Sequence, residues 1–115
     1  MDFTRTYPEH ENADFVERLF DGSIDGTFYP LRGFPRRAEI GDWVYAIHHG
    51  RIAGRCRITA IVAGSGETGV GSEDDTIDAG CEVHVECPGE RAPVEIYRRG
   101  HQGIRYDSVP EWPHE

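Results

Sequence analysis

Three arginines and three aromatic residues are interleaved in the run Phe28-Tyr29-Pro30-Leu31-Arg32-Gly33-Phe34-Pro35-Arg36-Arg37. Guanidinium groups hold phosphates and aromatic faces stack on bases, so this composition is typical of nucleic-acid recognition. A second basic stretch, Arg98-Arg99-Gly100-His101-Gln102-Gly103, adds an amide that can bond to a base edge. We expect the two stretches to form the facing walls of a ligand groove, with Tyr29, Arg32, Arg36 and Arg37 on one side and Arg98, Arg99, His101 and Gln102 on the other.

The same residues have a purely structural interpretation. The aromatic side chains would then fill one end of the fold, while the arginines would serve as surface counterions to the acidic residues. Composition alone leaves both alternatives open.

Catalytic and metal-binding patterns are weak in this sequence. His84 and Cys87 have a usable spacing, but strand alternation puts them on opposite faces, and no paired Cys-x-x-Cys or His-Glu-x-x-His is present. Asp42 with His48 or His101 could act as an acid–base pair, although Asp42 is better explained as an ion-pair partner of Arg57. We therefore predict no metal, no cofactor and no catalytic residue, and the sequence favours binding over catalysis.

A β-hairpin over residues 41–62 is the clearest structural element. Aromatic and β-branched residues dominate both arms, and His49-Gly50 forms a two-residue turn between them. In the second arm the even-numbered residues from Ile52 to Val62 share one face by alternation. If His48 pairs with Arg51, then Arg57 lies opposite Asp42 and forms an ion pair with it.

The remaining elements follow from periodicity and breakers. An amphipathic helix is predicted over residues 12–21, with Phe15, Val16, Leu19 and Phe20 on its apolar face. We expect a structured loop at 22–40, a mobile acidic loop at 64–76, and strands at 81–87, 94–98 and 104–106. The tail at 108–115 should be irregular, with Trp112 packed on the outside of the fold.

Length and composition place the chain among single-domain proteins. It has 115 residues and a net charge of −9, from 21 acidic residues against 12 arginines and no lysine. This balance is typical of a salt-adapted, halophilic cell with a GC-rich genome. In molar salt the Debye length falls to ~3 Å, so the net charge of the protein would not exclude a nucleic-acid ligand. The three cysteines are predicted to be buried apolar residues without a disulfide. No apolar stretch suits a membrane span or a signal peptide, so we expect a cytoplasmic protein without a membrane partner.

Gly41-Asp42 before a short apolar strand, followed by a glycine turn and a longer strand, resembles the central hairpin of small PUA-like β-barrels, the superfamily of the PUA, ASCH and EVE domains. The stretch Gly100-His101-Gln102-Gly103-Ile104-Arg105-Tyr106 is similar to the late loop and closing strand of such barrels. The resemblance covers about residues 12–107. It implies an α+β, mainly β fold: a small PUA-like barrel of five to seven strands with one or two short helices.

The predicted function is that of a nucleic-acid-binding domain, with RNA or a modified nucleotide as its partner. Two alternatives remain open. The resemblance to ASCH domains implies a small amidohydrolase that acts on a modified nucleoside, and a protein-interaction module is the third class. A carboxylate beside His or Arg in a pocket would favour the hydrolase, and an exposed apolar patch would favour the interaction module.

Overall fold

The computed structural model describes residues 1–7, 13–63 and 80–113. The fold in these ranges is mainly β with one short helix, as predicted. The elements in chain order are β1 (Phe3–Thr6), α1 (Ala13–Arg18), β2 (Gly26–Leu31), β3 (Trp43–His48), β4 (Arg51–Ala63), β5 (Cys81–Glu86), β6 (Glu90–Arg91) and β7 (Ile104–Tyr106). The predicted mobile loop at 64–76 lies outside the described residues.

The predicted hairpin is confirmed, because β3 and β4 pair antiparallel around the turn at His49 and Gly50. Both turn residues have positive φ, at 53° and 73°, as a two-residue turn between right-twisted strands requires. The register then shifts: Ile47 pairs with Ile52, but Ala46 pairs with Gly54. One extra residue in β4 is therefore accommodated as a β-bulge at Ala53.

This bulge overturns two details of the predicted hairpin. Beyond it, Arg57 lies opposite Trp43 instead of Asp42, so the predicted Asp42–Arg57 ion pair is absent. The Asp42 carboxylate accepts hydrogen bonds from the amino group of Met1 at 2.7 Å and from the amide of Glu39 at 2.8 Å. Ile52 is also moved to the face that carries Arg55 and Arg57, away from Cys56 and Ile58.

A second register shift occurs at Thr59, between the pairs Ile58–Val85 and Ala60–His84. It reverses the predicted alternation at the end of β4. Ile61 packs against the core, whereas Val62, which was expected on the buried face, is exposed.

The sheet runs in the order β2-β5-β4-β3-β1-β7, with β6 added to β4. β1 is parallel to β3, and the other pairs are antiparallel. Within the described residues, β2 and β7 are edge strands, so the sheet is not closed into the predicted barrel. The side chain of Tyr7, which follows β1, contacts that of Tyr29 in the edge strand β2.

Two segments differ from their predicted structure. Residues 26–31, expected within a loop, form β2; Pro30 is tolerated there because β2 is an edge strand and can lack one amide donor. The strand predicted at 94–98 is reduced to a single bridge between Tyr97 and Arg51. Ile96 in this segment is buried, but Val94 is exposed, so Ile96 is the apolar side chain of 94–98 that packs on the sheet.

Side chains on the two faces of the sheet form two apolar clusters. The larger one contains Phe3, Val44, Cys56 and Val83 and is covered by Val16, Leu19 and Phe20 from the α1 region. Phe15, predicted on the same helix face, is exposed but contacts the Tyr7 ring. No helix in the described ranges is long and apolar enough to span a membrane.

The smaller cluster lies on the other face and contains Tyr45, Ile47, Ile52, Ile96, Val109 and Trp112. The segment from residue 92 to 113 covers this face, and residues 108–113 contain no helix or strand, as predicted. Trp112 is buried against Tyr45, with ring centres 5.6 Å apart. β3 is consequently buried on both faces.

Gly54 offers a direct test of this packing. A Cβ atom at this position would lie 2.4 Å from the carbonyl oxygen of Glu90 and 2.5 Å from the Phe20 ring. We expect Gly54→Ala to lower the free energy of unfolding by about 1–3 kcal/mol, because the Glu90 backbone cannot move away as a flexible side chain could. Gly33→Ala is the matched control, since nothing lies within 4 Å of its Cβ position. Equal urea midpoints for the two variants would contradict the close approach at Gly54.

Candidate nucleic-acid interface

Tyr29 lies in the core instead of lining a groove. Its side chain is 4% exposed, and its hydroxyl accepts a hydrogen bond of 2.5 Å from the hydroxyl of Tyr7. The guanidinium carbon of Arg5 lies 4.4 Å from its ring centre. Burial raises the pKa of Tyr29 well above its ordinary value. The Tyr29 ring therefore has no free face on which a base could stack, so its predicted role in the groove is wrong. Alternation along β2 exposes its neighbour Phe28.

Arg98 is also not available to a ligand, because acidic groups surround it. Its Nε donates to Asp107 at 2.7 Å, and its two terminal nitrogens donate to Glu111 at 2.5 and 2.6 Å. The hydrogen bonds from Arg98 lower the pKa of Glu111 to about 2. Burial alone would raise the pKa of Asp107, but the bonds from Arg98 and from the Val109 amide outweigh it, so this pKa is also lowered. Arg98 therefore holds the C-terminal segment together.

The loops that were expected to face each other lie at the two ends of edge strand β7. At one end the amide of Arg37 donates to the hydroxyl of Tyr106 at 3.0 Å, and the amino group of Met1 donates to the Arg37 carbonyl. At the other end His101 bonds to β1, through the Thr4 hydroxyl at 2.7 Å and the Thr6 hydroxyl at 2.9 Å. The three residues of β7 separate these ends by ~10 Å at ~3.3 Å per residue.

Four arginines at this edge form no ion pair with a carboxylate in the part of the chain that the structure describes. All four are exposed. We call them, together with the half-buried Tyr106, the β7-edge surface: Arg36, Arg37, Arg99, Arg105 and Tyr106. Arg37 lies 5.9 Å from the centre of the Tyr106 ring.

Arg32 and Gln102 are exposed, but only Gln102 belongs to this edge. The Gln102 carbonyl lies 3.2 Å from Nδ1 of His101, in the loop before β7. Arg32 follows β2 at the opposite edge of the sheet, where its carbonyl packs closely against Gly80. Arg36 and Arg37 thus lie toward one end of β7, Arg99, His101 and Gln102 lie toward its other end, and Arg32 is apart from both groups.

A stack of cations and indole rings was not foreseen from the sequence. The guanidinium carbon of Arg55 lies 4.0 Å from the ring centre of Trp43 and 4.2 Å from that of Trp112. The carbon of Arg57 lies 4.2 Å from the centre of Trp43. The i, i+2 spacing of the two arginines was visible, but their aromatic partners come from β3 and from the tail.

A shallow depression of about 350 Å³ lies on the outer face of β2, β4 and β5. Its lining includes Phe28, Thr59, His84 and Glu86. The Phe28 and His84 rings stack with centres 5.4 Å apart, and Nε2 of His84 lies 3.0 Å from a carboxylate oxygen of Glu82. This face thus carries an imidazole–carboxylate pair beside an aromatic ring.

The three cysteines are buried, as predicted, and none forms a disulfide. Burial raises the pKa of the Cys56 thiol to about 12, and the neighbouring Cys87 adds to this effect. These thiols are therefore poor nucleophiles at neutral pH. Among residues 1–7, 13–63 and 80–113, no group of three His, Cys, Asp or Glu side chains is placed to hold a metal ion.

No protein-family model matches the chain, and no curated protein or solved structure matches it either.

The Arg98 contacts predict a pH dependence of stability. Because the pKa values of Asp107 and Glu111 are lower in the folded than in the unfolded chain, their contribution is complete above the unfolded values, near 4, and is lost as pH falls toward about 2. Arg98→Gln should lower the free energy of unfolding at neutral pH and flatten its decline between about pH 5 and 2. Urea unfolding at a series of pH values measures this.

Arg51→Gln serves as the control for this experiment. Arg51 pairs with Glu95 at 3.3 Å, but both side chains are more than half exposed, so the pair contributes little. A pH profile of Arg98→Gln that coincides with that of Arg51→Gln would contradict the stabilising role of Arg98.

Proposed function

We propose that the protein binds nucleic acid, RNA or a modified nucleotide, through the β7-edge surface. The observation that carries the proposal is the set of arginines at this edge that form no ion pair with a carboxylate of the described residues, in a chain with an excess of acidic residues. With 21 acidic against 12 basic residues, carboxylates are the commonest charged groups to pair with an arginine. The arginines left over at one edge are suited to an anion from outside the chain.

The contrast with four other arginines supports this interpretation. Arg51, Arg55, Arg91 and Arg98 each form an ion pair with a glutamate or aspartate, so their charges are neutralised within the fold. Arg36, Arg37, Arg99 and Arg105 form no such pair within the described residues, and their planar forks match phosphate oxygens. The remaining arginines, which also form no ion pair within these ranges, are Arg5, Arg18, Arg32 and Arg57.

The arrangement along β7 suits an extended ligand. The cationic loops lie ~10 Å apart at the two ends of the strand, with Arg105 between them, so a backbone with several phosphates can contact more than one guanidinium. Gln102, beside His101, supplies an amide that both donates and accepts hydrogen bonds. Binding of this kind relies on local contacts, so the net charge of −9 slows association at low salt without preventing it.

The proposed fold family is PUA-like, related to ASCH and EVE domains. Its support is the order of elements: a short helix, an edge strand, the hairpin that begins at Gly41-Asp42, and a late strand that returns to β1. The parallel pairing of β1 with β3 and the contact between Tyr7 and Tyr29 are further support for this proposal.

A hydrolase that acts on a modified nucleoside is the second candidate, and the depression beside His84 favours it. A neutral imidazole that bonds to Glu82 can accept a proton from water, as a general base does. The exposed aromatic ring of Phe28 could hold a heterocycle next to it. For an interaction module, the exposed apolar side chains of Phe34 and Ile40, both in the connection between β2 and β3, are the supporting observation.

The test is a titration of fluorescently labelled single-stranded and structured RNA oligonucleotides at several salt concentrations. We expect Arg36→Ala, Arg37→Ala, Arg99→Ala and Arg105→Ala each to weaken binding to all sequences. Each should also reduce the slope of log K against log salt by about 0.7 for a single strand, because one phosphate contact is lost. Arg51→Ala is the control, since its partner is Glu95 and its loss should change neither quantity.

The two candidates give different results. If the wild-type protein binds none of the oligonucleotides but releases product from a modified nucleoside, and His84→Gln abolishes that release, the hydrolase is correct. If RNA binds and the four arginine variants behave like Arg51→Ala, the ligand lies elsewhere on the molecule.

A further inference from the structure

The indole rings and guanidinium groups on the outer face of β3 and β4 form a continuous stack. Arg55 lies 4.0 Å from the Trp43 centre, and Arg57 lies 4.2 Å from the same centre. Both guanidinium groups are therefore in contact with the Trp43 ring. Arg55 also lies 4.2 Å from the Trp112 centre and so contacts both indoles. The contacts run in the order Trp112, Arg55, Trp43, Arg57.

The two arginines of the stack differ in what surrounds them. Arg55 is mostly buried, contacts two indoles, and is neutralised by Glu90 at 2.8 Å. Arg57 is exposed, and within the described residues it contacts one indole and forms no ion pair. The stack therefore ends in a planar cation that no second ring of the described residues covers.

The position of the Arg57 guanidinium is fixed before any ligand arrives. Its Nη1 donates to the carbonyl of Gly41 at 3.2 Å, and Trp43 supports its inner face. The nearest acidic residue in sequence across the hairpin, Asp42, is already occupied by Met1 and Glu39. Because the Arg57 side chain is already held in place, it loses little conformational entropy when a ligand binds. Its charge remains available to that ligand.

The stack also lies at the same end of the sheet as part of the β7-edge surface. Segment 35–42 connects them: its Gly41 carbonyl holds Arg57, and its Arg37 amide holds Tyr106. The amino group of Met1 bonds to both Arg37 and Asp42 and so joins the two halves of this segment. A strand of nucleic acid on the β7 edge can therefore continue toward Arg57.

We propose that the exposed face of Arg57 is a stacking site for one nucleobase of the bound nucleic acid. This inference rests on the proposed function. Guanidinium groups stack on the π faces of bases as they do on Trp43, and an unpaired base would extend the alternation by one aromatic ring. The site takes any base, because every base presents a π face and Arg57 offers no fixed pattern of hydrogen bonds to its edge.

The sequence supplies a specific reporter for this site. The chain has two tryptophans, Trp43 and Trp112, and both belong to the stack. A base that covers Arg57 changes the surroundings of the guanidinium that lies on Trp43. Binding at Arg57 should therefore change tryptophan emission, whereas contacts confined to the arginines of the β7 edge should leave it unchanged.

The experiment measures anisotropy of a labelled single-stranded RNA and tryptophan emission in the same titration. For Arg57→Lys we expect affinity to fall about 3- to 30-fold and the change in emission to disappear, because lysine keeps the charge but has no planar face. Arg51→Lys, at the first residue of β4, is the matched control and should behave as wild type. Thermal unfolding of both variants checks that the fold is retained.

An abasic oligomer of the same length separates stacking from charge. It should bind wild type and Arg57→Lys equally and leave tryptophan emission unchanged. RNA binding with unchanged emission, or equal RNA affinity for Arg57→Lys and wild type, overturns the stacking site while leaving the proposed function in place. Failure of wild type to bind any RNA overturns both.

Discussion

The extra residue of β4 at Ala53 determines which side chains meet on each face of the sheet. Before the bulge, Ile52 faces the smaller apolar cluster; after it, Gly54 and Cys56 face the larger one. The shift places Arg57 opposite Trp43, and without it Arg57 would lie opposite Asp42. The stack of indoles and guanidinium groups therefore depends on one residue of register. Gly54 permits this geometry because Glu90 and Phe20 leave no space for a Cβ atom.

Burial of β3 on both faces makes the C-terminal segment part of the fold. Tyr45 and Ile47 point away from the larger cluster, and without residues 92–113 they would face water. Its backbone pairs with the sheet through β7 and through the hydrogen bonds that Ala92, Ile96 and Arg98 form with β4 and Gly50. Side chains hold the rest of the segment in place. Trp112 packs on Tyr45 and Arg55, and Arg98 joins Asp107 to Glu111 within the segment. An irregular chain can cover a sheet in this way because apolar contacts need no regular hydrogen bonding.

Charge is divided between two roles in this chain. One group of arginines is neutralised by carboxylates within the fold, as Arg55 and Arg98 are. Indole rings also cover Arg55. A second group lies at the β7 edge and forms no ion pair with the carboxylates of the described residues. An acid-rich surface disfavours weak, long-range attraction to nucleic acid, so any binding has to come from these short-range contacts. High salt screens the repulsion and weakens the arginine–phosphate contacts, but it leaves stacking in place.

The sequence alone determined the hairpin at His49-Gly50, the mainly β fold, the burial of the cysteines and the two loops rich in arginine. These features depend on local alternation, turn chemistry and composition, which a single chain displays directly. The sequence could not place Tyr29 in the core, pair Arg98 with Glu111 or bring Trp112 onto Arg55. Each of those outcomes depends on partners distant in the chain, and on a bulge whose effect is to reverse the faces predicted by alternation. Only the tertiary structure decided which arginines are neutralised and which stay exposed, because neutralisation depends on the distance between charges and not on their order.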